Sequence, residues 1–177
     1  MAQALLIVDE QNDFMPGGAL AVPHGDEVVD PSNALARQQR FSLVIATRDW
    51  HPPDHYSFTQ QGGPWPPHCV HDSLGAQLNE RLDLDHVDVI LDKGIEPDAS
   101  GCSAFERPEL RDLLAAREID AVTIVGLATD SCIVHTARSA LDEGLAVTVE
   151  TAGIRGIDPR DSERALAQLR ASGATIR

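Results

Sequence analysis

Residues with reactive or metal-ligating side chains stand where short apolar runs stop. Asp9 follows Ala4-Leu-Leu-Ile-Val8, and Asp49 and His51 follow Leu43-Val-Ile-Ala-Thr47. Lys93 follows Val87-Asp-Val-Ile-Leu91, and Cys132 comes shortly after Val122-Thr-Ile-Val125. Runs this short, apolar and rich in β-branched residues read as buried strands. An Asp, a Lys and a Cys gathered at one sheet edge make a workable nucleophile system. The carboxylate takes the thiol proton and later returns it to a leaving amine, while the lysine orients the carboxylate and stabilises the thiolate. The same three residues also suit an inert arrangement, a buried Asp–Lys ion pair beside an unreactive thiol. Their wide separation in sequence leaves both readings open. Thr129 and Asp130 are N-cap types, so a helix is expected from Ser131 with Cys132 in its first turn. Unpaired N–H groups and the helix dipole favour a thiolate there. Taken alone, Cys132 reads equally as a small buried apolar residue.

A second constellation is Asp49-x-His51 with His68 beyond it. Three mixed carboxylate and imidazole ligands describe a catalytic-type metal site rather than a closed structural one. Such ligands suit Zn²⁺, Fe²⁺ or Mn²⁺. His55 and His71 are spare ligands, whereas His24, His86 and His135 read as surface or helix-face residues. Cys69 reads as filler. These histidines lie near or within Pro52 to Asp72, a long segment rich in Pro, Gly and aromatics. Loops of that length are commonly functional. Phe14 and Trp65 either wall a flat substrate or anchor loops.

The elements that must position these groups alternate between strand and helix. Helices are expected over 26–40, 73–82, 108–117, 131–143 and 158–170, with further strands at Leu145 to Val149 and Ala174 to Ile176. Alternation implies parallel pairing with right-handed crossovers, hence one three-layer α/β domain over residues 1–177. Absence of GxGxxG, GxxxxGK[ST] and GxSxG argues against dinucleotide, P-loop and α/β-hydrolase chemistry. The formal net charge of −14 argues against nucleic acid and anionic membranes as partners. No stretch approaches 18 apolar residues, and no basic-then-apolar signal opens the chain, so a cytoplasmic location is expected. Three cysteines without CxxC spacing argue against a disulfide framework.

Several longer motifs carry a resemblance. They are Leu6-Ile-Val-Asp9-Glu-Gln-Asn-Asp-Phe14-Met-Pro-Gly-Gly-Ala-Leu20, Thr47-Arg-Asp49-Trp-His51-Pro-Pro-Asp-His55-Tyr-Ser-Phe58, Trp65-Pro-Pro-His68-Cys69, Asp92-Lys93-Gly94, Ser103-Ala-Phe105 and Gly126-Leu-Ala-Thr-Asp-Ser-Cys132. Together they resemble the nicotinamidase branch of the isochorismatase-like cysteine hydrolases. The resemblance implies a six-stranded parallel sheet and hydrolysis of nicotinamide, a small carboxamide, through a Cys thioester. It implies Asp9, Lys93 and Cys132 as the catalytic triad and the N–H groups of Ala128 and Cys132 as the oxyanion hole, set by a cis Leu127–Ala128 peptide. It implies Asp49, His51 and His68 as ligands of one divalent metal, zinc foremost, with iron or manganese as alternatives. His55 is then either a further ligand or a group behind the ligands, and Phe14, Trp65, Leu127 and Ala128 contact substrate. It leaves open whether copies of the chain assemble. One departure is Cys102, where many relatives carry an aromatic before Ser-Ala-Phe. Alternative readings are a related amidase acting on another small carboxamide or carbamoyl compound, and a non-catalytic metal- or ligand-binding α/β module.

Overall fold

The first apolar run becomes the middle of a sheet. The structure, a computed structural model, describes residues 1–177. Its strands are β1 (Ala2–Val8), β2 (Phe41–Asp49), β3 (Val89–Lys93), β4 (Ile119–Leu127), β5 (Ala146–Arg155) and β6 (Thr175–Ile176). All pair in parallel, in the order β3-β2-β1-β4-β5-β6. Successive residues of β1 enter opposite cores: Ala4, Leu6 and Val8 one, Leu5 and Ile7 the other. That is why this run is apolar throughout rather than alternating: both faces of the strand are covered.

The covering helices are α1 (Val29–Ala36), α2 (Pro108–Ala116), α3 (Val134–Asp142) and α4 (Pro159–Ala171). Val29 and Ala36 of α1 pack in the core of Leu5 and Ile7. Leu110 and Leu114 of α2, Ala137 and Ala140 of α3, and Ala165 and Leu169 of α4 pack in the other. The sheet is thus sandwiched in three layers. Helix ends follow local chemistry. The Asp158 carboxylate accepts from the Arg160 and Asp161 N–H groups with Pro159 opening α4, and Gly144 leaves α3 at φ +79°. No helix is long and apolar enough to cross a membrane.

Three expectations are corrected. No helix forms over 73–82, because its backbone pairs with the loop after β1. The N–H groups of Asn12 and Asp13 donate to Gln77 and Gly75 (both 3.0 Å), and Asn79 donates to Glu10 (2.8 Å). The helix expected over 26–40 is a 3₁₀ turn, Gly25–Val28, followed by α1, which stops at Ala36. Beyond it Arg37-Gln-Gln-Arg40 offers no apolar side chain to bury. The strands also run further toward the site: Asp49 and Lys93 lie inside β2 and β3, directly paired.

Candidate functional site

Neighbours of β1 lead in opposite directions, β2 on one side and β4 on the other, which opens a crevice at the carboxyl ends of the strands. Asp9 is the residue that leaves β1 there, in the left-handed region at φ +52°. Its N–H donates to the Thr47 carbonyl at 3.1 Å. Lys93 ends β3, fully buried, and its ammonium reaches back across the sheet. Nζ donates to Asp9 Oδ2 at 2.7 Å, to Asp49 Oδ1 at 2.6 Å and to the Gly101 carbonyl, and lies 3.6 Å from Cys132 Sγ. Asp9, Lys93 and Cys132, 123 residues apart at the extremes (132 − 9), thus meet around one ammonium group.

The turn that carries Cys132 differs from the capped helix start expected. Thr129–Ile133 forms one π-helical turn running into α3, with no side-chain cap. Asp130 instead accepts from the Ile157 and Asp158 N–H groups, both at 2.9 Å, tying this turn to the loop before α4. The Leu127–Ala128 peptide is cis, and the Ala128 N–H makes no backbone hydrogen bond. Gly126 has to be glycine: at φ +114°, a Cβ would stand 2.0 Å from the Val8 carbonyl oxygen.

Burial sets the charges. It pushes the Cys132 thiol well up, with Lys93 opposing, so the resting form is the thiol and a base is needed. Asp9 is also raised, by burial first, against the pull of Lys93. Asp49 is pushed up by burial, but Lys93 and His51 together outweigh this and hold it below the carboxylate range. Lys93, which burial alone would neutralise, is held protonated by the two carboxylates. The cluster therefore combines a firmly ionised Asp49, an ammonium, and an Asp9 more basic than an ordinary carboxylate.

Beside it, one ligand atom each from Asp49, His51 and His68 falls within a 4.8 Å sphere of mutual distance. The other polar atoms of these side chains are already engaged. His51 Nδ1 faces the Gly94 carbonyl at 2.9 Å, His68 Nδ1 faces the Pro66 carbonyl at 2.8 Å, and Asp49 Oδ1 takes Lys93. Two imidazole Nε2 atoms and one carboxylate oxygen remain, oriented by their second contacts, which is the donor set of a divalent metal site. His51 needs Gly94 beside it: a Cβ there, at φ +62°, would stand 2.5 Å from the ring. His55 is not brought into this set. Its Nδ1 bonds Ser57 Oγ and its Nε2 the Ala99 carbonyl, both at 2.7 Å, while its ring stacks on His51 at 3.8 Å. Cys69, His71 and Cys102 also stay outside it.

Above both clusters lies a cavity of about 130 Å³. Phe14, Leu20, Val22, Trp65, Leu127 and Ile157 supply apolar wall, and Cys132, Asp49, His51 and His68 reach its surface. Phe14 is buried and Trp65 half exposed. Cys102 lines the same cavity. Sequence reading missed Thr47, Gln11 and Gly101. Thr47 carries no motif of its own, Gln11 is an uncharged residue inside a charged run, and Gly101 acts through its carbonyl alone.

An isochorismatase domain matches residues 3–177. The chain belongs to the isochorismatase family. Among curated relatives of this family, it is 42% identical to the nicotinamidase of Escherichia coli (strain K12), over 98% of this chain and 93% of that one. The pyrazinamidase of Pyrococcus horikoshii in complex with zinc superposes with a TM-score of 0.95 at 42% identity, covering 100% of this chain and 99% of that one. PnC1 from L. infantum in complex with nicotinate superposes with a TM-score of 0.96 at 35% identity, covering 99% and 92%.

Proposed function

We propose that this protein hydrolyses nicotinamide to nicotinate and ammonia, with Cys132 as nucleophile, Asp9 as acid and base, and Lys93 as the cation that joins them. The observation that carries this reading is the buried Lys93 ammonium, 2.7 Å from Asp9 and 3.6 Å from Cys132 Sγ, behind a small cavity whose wall includes Cys132. The relatives add weight: one is named a nicotinamidase, another a pyrazinamidase, and a third is in complex with nicotinate.

Asp9, raised by burial, takes the proton from Cys132 as Sγ forms a bond to the carboxamide carbon. Lys93 offsets the negative charge while it is on sulfur. The oxyanion then forms between the Ala128 and Cys132 N–H groups; one such donor is worth about 3–4 kcal/mol. Collapse breaks the C–N bond, Asp9 returns its proton to the leaving nitrogen, and ammonia departs from a thioester. Water, losing a proton to Asp9, attacks the thioester carbon; the C–S bond breaks, nicotinate leaves, and the proton goes back to Sγ. Phe14 and Trp65 sandwich or wall the ring, and Leu127 lies along it. Asp49, His51 and His68 would hold one divalent metal, zinc foremost, which would supply Lewis acidity toward the ring nitrogen of the substrate.

Ammonia release from nicotinamide, compared between wild type and Cys132→Ala, tests the proposal. Wild type turns over and the variant, folded as judged by its circular dichroism, does not. Residual turnover near wild type in Cys132→Ala sinks it. A panel of small amides, including pyrazinamide, ranks substrates within the same test.

A further inference from the structure

Lys93 donates to Asp9 and Asp49 at almost the same distance, 2.7 and 2.6 Å, so it cannot by itself assign the two carboxylates different work. Their remaining partners differ. Asp9 is gripped by Thr47 at both ends. Its N–H donates to the Thr47 carbonyl at 3.1 Å, and its Oδ1 accepts from the Thr47 hydroxyl at 2.7 Å. With Lys93 on Oδ2 and Thr47 on Oδ1, the carboxylate plane is pinned by a donor at each oxygen, and rotation about Cβ–Cγ is blocked.

Asp49 is gripped through its main chain instead. The Gln11 amide oxygen accepts from the Asp49 N–H at 2.8 Å, and its Nε2 donates to the Asp49 carbonyl at 2.7 Å and to the Ala76 carbonyl at 2.9 Å. The Gln11 side chain thus acts as a short extra strand beside Asp49. It takes neither carboxylate oxygen, so Oδ1 stays with Lys93 and Oδ2 stays on the side of His51, 3.6 Å from its Nε2. Thr47 and Gln11 are both buried, and all of their side-chain polar atoms are used in these contacts.

We propose that Thr47 and Gln11 are positioning residues that split the Lys93-bridged pair, Thr47 fixing the Asp9 carboxylate within 4.8 Å of Cys132 Sγ and Gln11 holding Asp49 in the metal-ligand set. This rests on the function proposed above. It separates two losses that a single packed cluster would show together.

Thr47→Val keeps shape and removes the hydroxyl. Its kcat for nicotinamide falls about 10- to 100-fold, the range expected when a reacting group is slightly misplaced. Its KM and metal content stay at the wild-type level. Thr47→Ser, which restores the donor, recovers most of kcat. Gln11→Met loses metal about 10- to 100-fold more readily in competition with a chelator, as expected when the support of a ligand is removed. Iodoacetamide alkylation of Cys132 in metal-stripped protein adds a readout independent of turnover: it slows in Thr47→Val and stays at the wild-type rate in Gln11→Met. Wild-type kcat in Thr47→Val overturns the inference, as does equal metal loss in the two variants. If Thr47→Val fails to fold, failure of folded Thr47→Ser to keep kcat above a tenth of wild type overturns it as well. Wild type that releases no ammonia from nicotinamide overturns the function reading instead, and the alkylation and chelator results still judge the division between Thr47 and Gln11.

Discussion

Asp9 and Glu10 are consecutive and both fully buried, yet their carboxyl groups meet different surroundings. Asp9 turns toward Lys93 on β3 and Thr47 on β2, so each of its oxygens has a donor and one of those donors is a cation. Glu10 turns toward α1, where its Oε1 accepts from the Ser32 hydroxyl and its Oε2 has no partner. Burial with little opposition pushes the Glu10 carboxyl up to about 8, so at neutral pH it is an uncharged acid. A buried carboxylate keeps chemistry when a cation and donors surround it. With one neutral hydroxyl, the same group becomes a titratable weak point in the fold.

Removing the cation breaks this comparison most severely. Lys93→Met leaves Asp9 and Asp49 buried without their counter-ion, and stability falls by about 3–5 kcal/mol. Urea unfolding measures the drop, and ammonia release from nicotinamide disappears with it. Wild-type stability in this variant would show that the pair carries no net charge in the folded protein.

Glu10→Gln gives the next largest effect, with the opposite sign. The folded protein keeps the Glu10 proton up to about pH 8, whereas the unfolded chain loses it above its ordinary 4.5. Wild-type stability therefore declines as pH rises from 4.5 to 8 and levels off beyond, since in that window only the unfolded chain releases the proton. Glutamine cannot ionise, so the variant lacks this part of the decline. It is more stable than wild type at pH 8 by on the order of 4 kcal/mol, and close to it below pH 4.5. Urea midpoints at several pH values check the curve; parallel curves for the two proteins refute it. The smallest effect belongs to Ser32→Ala, which removes the one donor Glu10 has. It lowers stability by about 1 kcal/mol at pH 6, and the decline of stability with pH reaches above pH 8. An unchanged pH window would mean that Ser32 does not support the ionised form.

Much of the fold could be read from the chain. Continuous apolar runs marked β1, β2 and β4, because strands covered on both faces leave no polar side to alternate. Asp158-Pro159 and Pro108 marked the starts of α4 and α2, since those caps act within a few residues. The segment 73–82 was misread for a physical reason: its hydrogen bonds go to residues 10–13, distant in sequence, and propensity sees only neighbours. The same limit applies to the turn at Thr129–Ile133, where Asp130 serves the loop before α4 rather than its own helix.

The sequence alone determined the types of reactive residue and the sheet edge they share, because each follows a run whose apolar character reports burial. Which side chains meet, and how burial and neighbouring charges shift their titration, were decided only by the tertiary structure. Three separate strand ends had to converge before Lys93 could bridge Asp9 and Asp49, and the loop after β3 had to reach His55 before the Ala99 carbonyl could engage its Nε2. Thr47 and Gln11 acquire a role only through contacts 38 residues away in sequence, a distance over which no local pattern carries information.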